Sequence, residues 1–262
     1  MMPEPLFVEE RRRIILDRLK EQGRVSVKDL SADMRVSAVT IRQDLRALED
    51  VGLLERTYGG AVRRESTSAP PEMSFHVRVG KGRHEKEAIT AAAAALIHEG
   101  DTVALDASST VFALVPHLRN FRRLTVITNS LITAQSLLDC PQINVLLPGG
   151  RLRRDSISIV GRPEELPDVN LNIGFFGARG LSLSGGGSDI DADEVVIKQE
   201  MTQRCVRAVL LVDASKWGQV APYTFIRAEN IRHIITSEGA PADMVQVFRD
   251  RGARVDIVPV KR

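Results

Sequence analysis

The chain is poor in the features that mark secreted, membrane-spanning or metal-binding proteins. Only two of its 262 residues are cysteine, Cys140 and Cys205, and they form neither a disulfide framework nor a metal-ligand spacing. No apolar run approaches the roughly 20 residues that cross a bilayer, and the N-terminus lacks the apolar segment of a signal peptide. These absences predict a cytoplasmic protein with no membrane segment, no metal site and no cofactor.

Net charge is also small, because 36 Lys and Arg oppose 34 Asp and Glu, which leaves a formal charge of +2. This balance counts against general binding along nucleic acid but not against one small basic surface. The length exceeds one average domain, so two domains are expected. A polar segment at 65–72, which contains a proline pair, predicts a linker between domains at 1–64 and 73–262.

A helix, a turn and a second helix are predicted within 26–51. Apolar residues recur at helical spacing over 27–34, directly after Ser26, whose hydroxyl suits a helix cap. After a tight connection, Ser37 stands where the cap of the second helix belongs, and Gly52 is placed to end that helix.

The second helix combines an apolar stripe with an opposite polar face. Ile41, Leu45 and Leu48 fall on one side at about 100° per residue, so they form the stripe that packs. Arginine is the commonest partner of guanine in the major groove, and glutamine can read adenine. A solvated amphipathic helix is the alternative interpretation. We predict a recognition helix whose DNA contacts come from Thr40, Arg42, Gln43 and Arg46.

Two short strands are predicted around the glycine pair Gly59-Gly60. A basic β-ribbon beside a recognition helix is a wing, whose arginines can neutralise phosphates while a tyrosine hydroxyl donates near the tip. The alternative is a hairpin that only closes the small domain. The predicted DNA contacts of the wing are Arg56, Tyr58 and Arg63, with Arg64 beside them.

Beyond the linker, short apolar runs alternate with helical patterns. Helices are predicted at 84–98, 111–118, 131–139, 194–204 and 242–251. Buried strands are predicted at 102–105, 124–128, 143–147, 173–177, 208–212, 233–236 and 255–258. This alternation predicts a largely parallel sheet covered on both faces, with any ligand beyond the carboxyl ends of its strands.

Residues at those strand ends suit a small, anionic, oxygen-rich ligand. The run from Asp106 to Thr110 offers backbone N–H groups, hydroxyls and a helix start, which together favour a phosphate. Plain helix capping by Ser109 or Thr110 is the simpler interpretation. The candidate ligand-binding residues at the strand ends are Asp106, Ser108, Ser109, Thr110, Asn129, Gly149, Gly150 and Lys216.

A glycine-rich and then acidic segment at 184–194 is predicted to be a mobile loop. It lacks the spacing of an EF-hand, so a calcium site is not expected. Glu194 and Lys198 lie four residues apart on a predicted helix, where their ordinary role is a surface ion pair.

Motifs spread over most of the chain form one family pattern. They are Thr40-Ile41-Arg42, Asp44-Leu45, Tyr58-Gly59-Gly60-Ala61, Phe75, Arg78, Glu85-Lys86, the run Asp106 to Thr110, Thr128-Asn129, Gly149-Gly150, Asp213 and Ser215-Lys216. In these motifs the chain resembles the DeoR family of bacterial transcriptional regulators. The resemblance implies a winged helix-turn-helix joined to an α/β domain similar to sugar-phosphate isomerases. It also implies that Asp191, Glu194 and Lys198 lie near a sugar pocket.

The function implied by this resemblance is a regulator that binds a double-stranded DNA operator, represses a carbohydrate-catabolism operon and is released by a phosphorylated sugar. Two-fold operators require at least a dimer, so a homo-oligomer is expected. The alternative is a sugar-phosphate isomerase-like or deaminase-like enzyme. We expect that the chain is not an enzyme, because no nucleophile with an adjacent base can be identified from the sequence. A fold shared with enzymes is only an analogy and does not establish catalysis. A domain that only dimerises the DNA reader would show no ligand-dependent thermal shift.

Overall fold

The structure is a computed structural model that describes residues 8–50, 54–62 and 75–260. The chain divides into two compact units between Val77 and Arg78. Each unit has its own hydrophobic core. The predicted linker at 65–72 lies outside the described residues, so the proposed domain limits remain predictions.

The first unit contains three helices and a small antiparallel sheet within its described residues up to position 62. The helices are α1 (Val8–Gln22), α2 (Val27–Met34) and α3 (Ala38–Asp50). The strands are β1 (Arg24–Ser26), β2 (Glu55–Thr57) and β3 (Gly60–Val62), with β3 in the middle. Ile15, Leu30, Ile41 and Leu45 are buried at the centre of this unit. The apolar stripe of α3 therefore faces the core, as its period predicts.

The connection between α2 and α3 depends on two caps and one unusual backbone angle. Ser26 Oγ accepts a hydrogen bond from Asp29 N (3.4 Å), and Ser37 Oγ accepts one from Thr40 N (3.1 Å). Between the helices, Arg35 has a φ of 53°, a left-handed conformation that few residues other than glycine adopt. The predicted helix-turn-helix is confirmed.

A third strand supports the predicted wing. Val25 in β1 pairs with Ala61 in β3, and a Cβ on Gly60 would lie 2.1 Å from Val25 O. Glycine is therefore required at that position for strand pairing as well as for the turn. The sequence did not predict β1, because three residues are too few to establish a period. Gly52, expected to end α3, lies outside the described residues.

The second unit is built on a seven-stranded sheet in which every adjacent pair of strands is parallel. In spatial order the strands are β15 (Arg254–Val258), β14 (His233–Ser237), β12 (Cys205–Val212), β9 (Leu171–Phe176), β4 (Thr102–Leu105), β5 (Leu124–Thr128) and β6 (Ile143–Leu146). Two clusters of buried apolar residues pack against this sheet. The predicted parallel α/β architecture is confirmed.

The helices from Phe75 onward depart from the predictions at several points. They are α4 (Phe75–Gly80), α5 (Arg83–Ala94), α6 (Ser109–Phe112), α7 (Val115–Leu118), α8 (Leu131–Ser136), α9 (Ala192–Arg204) and α10 (Ala242–Asp250). The helix at Phe75–Gly80 was not predicted, and the helix predicted at 131–139 ends at Ser136. The helix predicted at 84–98 ends early, where Leu96 N bonds to Ala93 O in a tighter turn. The helix predicted at 111–118 is divided, because Pro116 has no N–H to donate and its ring would clash with the carbonyl of Phe112.

Five short strands of the second unit were not predicted. They are β7 (Arg151–Arg153), β8 (Ser158–Val160), β10 (Gly180–Ser182), β11 (Gly186–Asp189) and β13 (Tyr223–Ile226). β7 and β8 form a hairpin, and β11 lies between β10 and β13 in a second sheet. The prediction of a mobile loop at 184–194 is wrong, since β11 is buried along its length. Its glycines permit close packing, because a Cβ on Gly186 would lie 2.1 Å from Ile226 O.

Candidate functional site

The outer face of α3 presents the side chains expected to read DNA. Arg42, Gln43 and Arg46 are exposed, and Val39 beside them is 60% exposed. Thr40 is half-buried, and its Oγ1 lies 2.8 Å from the Oγ of the capping serine. The polar face therefore stands clear of the core and has the chemistry of base recognition.

The residues of the wing that are predicted to contact DNA differ in their surroundings. Tyr58 is fully exposed at the turn between β2 and β3. Arg56 is exposed but held at the base of the wing, where its N–H donates to Glu49 Oε1 (3.0 Å) and its Nη1 lies 3.6 Å from Glu49 Oε2. Arg63 lies outside the described residues. Sequence reasoning missed Arg24, which is exposed on β1 and lines the same cleft as Tyr58.

Asp106, which follows β4, organises the carboxyl edge of the large sheet. Its carboxylate accepts hydrogen bonds from Ser108 N (3.0 Å) and Gly177 N (2.9 Å), and it lies 2.9 Å from Lys198 Nζ. Asp106 is 1% exposed. Its first structural effect is therefore to hold two loops together at the strand ends.

Lys198 does not form the surface ion pair that its spacing from Glu194 suggests. It is buried, with Nζ 2.6 Å from Asp189 Oδ2 and 3.0 Å from Gly177 O. Burial alone would lower the pKa of Lys198, but the carboxylates of Asp106 and Asp189 outweigh it and raise that pKa above its ordinary value. The lysine is therefore a permanent cation at this edge.

Glu194 has different partners. It accepts a hydrogen bond from Ser158 Oγ (2.6 Å), and its Oε2 lies 3.5 Å from Arg153 Nη1. Asp191 caps α9 by accepting from Glu194 N (2.9 Å) and also lies 3.0 Å from Arg153 Nε. The hairpin of β7 and β8 is thus tied by ion pairs to the start of α9.

A small cavity collects several of the predicted ligand-binding residues. Its lining consists of Asp106, Ala107, Ser108, Asn129, Asp189, Glu194 and Lys198. Asn129 is buried, and its Oδ1 has no hydrogen-bond partner among the described residues, whereas its Nδ2 donates to Ile159 O (3.3 Å). A buried amide oxygen without a partner costs stability, so this group is prepared for a donor from outside the protein.

Cations gather beside this cavity. Lys86 Nζ donates to Ser109 Oγ (3.2 Å) and to the carbonyl of Arg78. Burial lowers the pKa of Lys86 to about 8, and Asp213 opposes that shift. Burial also lowers the pKa of Lys216; Asp213 opposes this shift, and the positive charges of neighbouring Arg179, Lys81 and Arg78 add to it. Mutual repulsion of this kind identifies a concentration of positive charge.

The other residues predicted to bind the ligand have structural roles in a helix cap and a turn. Ser108, rather than Ser109 or Thr110, caps α6, since its Oγ accepts from Val111 N (3.1 Å). Gly149 and Gly150 lie in the turn before β7 and do not line the cavity, and Thr110 is buried. Among the described residues, no group of three His, Cys, Asp or Glu side chains could hold a metal ion.

Sequence reasoning missed Asp189 and Lys86 as site residues. Asp189 lies in the stretch expected to be a loop, and only its place in β11 brings it to Lys198. Lys86 lies in α5, and the only available signal was the Glu85-Lys86 motif. Both side chains reach the site from segments far from it in sequence.

Two family models match the chain. One is described as the DeoR-like helix-turn-helix domain and matches residues 11–67. The other is described as the DeoR C terminal sensor domain and matches residues 81–238. Within the described ranges, no helix is long and apolar enough to cross a membrane.

Curated relatives cover nearly the whole chain. The HTH-type transcriptional regulator GolR of Listeria innocua is 35% identical over 96% of this chain and 99% of its own length. The HTH-type transcriptional repressor GlcR of Bacillus subtilis is 34% identical over 88% of this chain and 89% of its own. The glycerol-3-phosphate regulon repressor of Escherichia coli is 29% identical over 93% and 96%. A solved ribose 5-phosphate isomerase A of Methanocaldococcus jannaschii is 17% identical, with a TM-score of 0.36 over 50% of this chain and 53% of that one.

Proposed function

This chain belongs to the DeoR family of transcriptional regulators, and we propose that it represses a carbohydrate-catabolism operon until a phosphorylated sugar binds its second unit. It is a DNA-binding regulator and not an enzyme. The names of two relatives include the word repressor, and one of those relatives controls a glycerol-3-phosphate regulon. These names support the proposed sign of regulation and the proposed class of effector.

The effector proposal depends on one observation: groups that suit a phosphate and groups that suit sugar hydroxyls lie at the same edge of the sheet. Lys86 donates to the hydroxyl of Ser109, and Lys216 is near enough to Lys86 for its charge to lower the pKa of Lys86, so positive charge collects there and suits a phosphate. Charge-assisted hydrogen bonds of this kind are roughly twice as strong as neutral ones. The adjoining cavity offers the unpaired Asn129 Oδ1 and the carboxylate of Glu194, which suit the hydroxyl groups of a sugar.

Calorimetric titration tests this assignment. Glycerol 3-phosphate and a panel of sugar phosphates are compared with the same compounds lacking phosphate, which should bind far more weakly. Lys216→Ala removes a charged partner, a change worth about 1.5–3 kcal/mol, or about 10- to 150-fold in affinity. Ser109→Ala should weaken binding less. Arg122→Ala, an exposed arginine that does not line the cavity, is the matched control.

Equal affinity of the Lys216→Ala and parent proteins for the best ligand would place the phosphate elsewhere. Nuclear magnetic resonance of the ligand after incubation separates binding from catalysis, since a regulator returns it unchanged. Steady conversion to an isomer or a deaminated product would support the enzyme alternative. The absence of any ligand-dependent thermal shift would leave the second unit a dimerisation domain.

For DNA binding, we propose that the operator is contacted by both α3 and the wing. Bases are read by side chains of α3, and backbone phosphates are neutralised from the wing. The proposed contacts are Thr40, Arg42, Gln43, Arg46, Arg56, Tyr58 and Arg63. The exposure of the polar face of α3 supports this proposal.

We also propose that the protein acts in the cytoplasm as a dimer or tetramer assembled through its second unit. Paired half-sites in operators match two-fold symmetric proteins. Limited proteolysis should cut near 65–72 and release a fragment from about residue 73 onward that remains oligomeric in light scattering. A monomeric or unfolded fragment would count against this arrangement.

A further inference from the structure

A second cleft, of about 820 Å³, lies at the amino ends of the sheet strands. Its lining includes Cys205, His233 and Arg254, which begin β12, β14 and β15. The proposed effector site follows the carboxyl ends of strands in the same sheet. The eight residues of β12 separate the two edges, which is roughly 25 Å at about 3.3 Å per residue. The cleft is therefore distinct from the effector site.

The cleft is strongly positive. Among its described lining residues none is acidic, and four are arginines, namely Arg207, Arg227, Arg232 and Arg254. Asp256 pairs with Arg254 (2.9 Å) and with His233 Nε2 (2.8 Å). The other three arginines form no ion pair with a described residue. In a chain whose formal charge is only +2, this is a marked local excess.

Hydrogen bonds to backbone carbonyls use only some of the N–H groups of these arginines. Arg207 Nη2 donates to Leu96 O (3.0 Å), shortly after the end of α5, and Arg232 Nη1 donates to Glu229 O (2.7 Å). A guanidinium group has five N–H donors, so most of them remain available. The end of α9 also reaches the cleft, but a helix C-terminus contributes only about half a negative charge. The surplus of positive charge therefore remains.

We propose that this cleft binds a small organic anion that carries at least two phosphate or carboxylate groups. Its volume falls within the roughly 300–1,000 Å³ of small-molecule sites. Arginine is the residue best suited to planar, two-pronged recognition of carboxylate or phosphate. Two anionic groups are needed because the arginines approach from different elements. Arg207 comes from β12, whereas Arg227 and Arg232 flank the connection from β13 to β14.

The lining also provides surfaces for the uncharged part of such a ligand. Phe225 and Leu96 supply apolar contact, and Gln203 and Asn230 supply amide groups. This mixture distinguishes the cleft from a purely electrostatic patch, which would attract inorganic ions without a preference for shape. A ligand whose charged groups are joined by a carbon frame fits this lining best.

Calorimetric titration of the full chain with inorganic pyrophosphate and with citrate, at constant ionic strength, tests the proposal. The cleft variant combines Arg227→Gln with Arg232→Gln. The charge-matched control combines Arg119→Gln with Arg122→Gln, two exposed arginines that do not line the cleft. We expect the cleft variant to lose about tenfold or more in affinity for at least one of the two probes, since two charge-assisted contacts are removed. The control variant and Lys216→Gln should retain that binding component.

Equal binding of both probes by the cleft variant and the control would overturn the proposal. A lower molar mass of the cleft variant in light scattering, with probe binding unchanged, would also overturn it and identify an interface between copies of the chain. Circular dichroism checks folding, and the single variant Arg227→Gln replaces the pair if the pair unfolds. A response to orthophosphate as strong as to pyrophosphate and citrate would refute the requirement for two anionic groups.

Discussion

Replacing Lys198 with methionine tests whether one buried cation holds the effector edge together. Lys198 Nζ lies 2.9 Å from Asp106 and 2.6 Å from Asp189, and the three side chains are 6%, 1% and 9% exposed. Methionine has a comparable length without the charge, so two buried carboxylates lose their partner. Removing one member of a buried ion pair costs about 3–5 kcal/mol, and at roughly 2–4 °C per kcal/mol the Tm should fall by about 6–20 °C.

The pH dependence of the Lys198→Met deficit gives a sharper test. In the parent, burial would raise the pKa of Asp189, but Lys198 outweighs it and holds that pKa below its ordinary value. This contribution to stability is present above the unfolded pKa and is lost as the pH falls through the folded one. Without Lys198 the folded pKa rises instead. The deficit should therefore be full near neutral pH and shrink on acidification, as the carboxylates protonate.

Thermal unfolding followed by circular dichroism measures both effects. Adding Asp189→Asn to Lys198→Met should restore part of the lost Tm, because it removes one uncompensated charge. Arg83→Met breaks an exposed pair with Glu87 and should leave the Tm nearly unchanged. A Lys198→Met protein as stable as the parent at neutral pH, or a deficit that grows on acidification, would refute the reasoning.

Four further predictions follow from the same geometry. Arg42→Ala and Arg46→Ala should each weaken operator binding by about 1–3 kcal/mol and relax base preference; undiminished affinity of folded variants in fluorescence anisotropy would remove α3 as the reading element. Because the pKa of Lys86 is lowered to about 8, phosphate-ligand affinity should fall as the pH rises through that value, and calorimetry showing no change would exclude its charge from binding. Gly187→Val should lower the Tm, since a Cβ there would lie 2.8 Å from a neighbouring side-chain carbon, and an unchanged Tm would contradict that packing. Asn129→Ala should weaken ligand binding and lower the Tm only slightly, because it removes one long side-chain bond, from Nδ2 to Ile159 O (3.3 Å), while its Oδ1 has no partner among the described residues; a marked loss of Tm with affinity retained would give it a purely structural role.

The helix-turn-helix could be predicted because its signals are local. Helical periodicity and helix capping each involve residues only a few positions apart in the sequence. The cap formed between Ser37 and Thr40 is an example that the structure contains. The strands of the large sheet were equally accessible, since each is a continuous apolar run between turns. Pro116 also indicated that the helix predicted at 111–118 would be divided, but the apolar pattern of this segment favoured one continuous helix.

The contacts of the effector edge depend on topology and could not be predicted. Lys198 was paired by spacing with Glu194, its neighbour one turn away, whereas its partners are Asp106 and Asp189. Spacing cannot predict such pairings, because they exist only after β4, β11 and α9 have come together. Gly187 gave a misleading signal as well. Glycine favours loops in isolation, but here it permits side chains of β13 and β12 to approach the backbone of β11 closely.

The most direct test of the central claim is operator release by a phosphorylated sugar. Fluorescence anisotropy of the full chain on labelled DNA from the promoter it controls is measured at fixed salt, with saturating sugar phosphate or its unphosphorylated form. A ligand can shift DNA affinity only by its differential affinity for the two states, and a coupling of about 1–3 kcal/mol gives a change of about 5- to 150-fold. We predict that the phosphorylated form weakens operator binding within that range while the unphosphorylated form has little effect. Unchanged or tighter operator binding at saturating sugar phosphate would contradict the account.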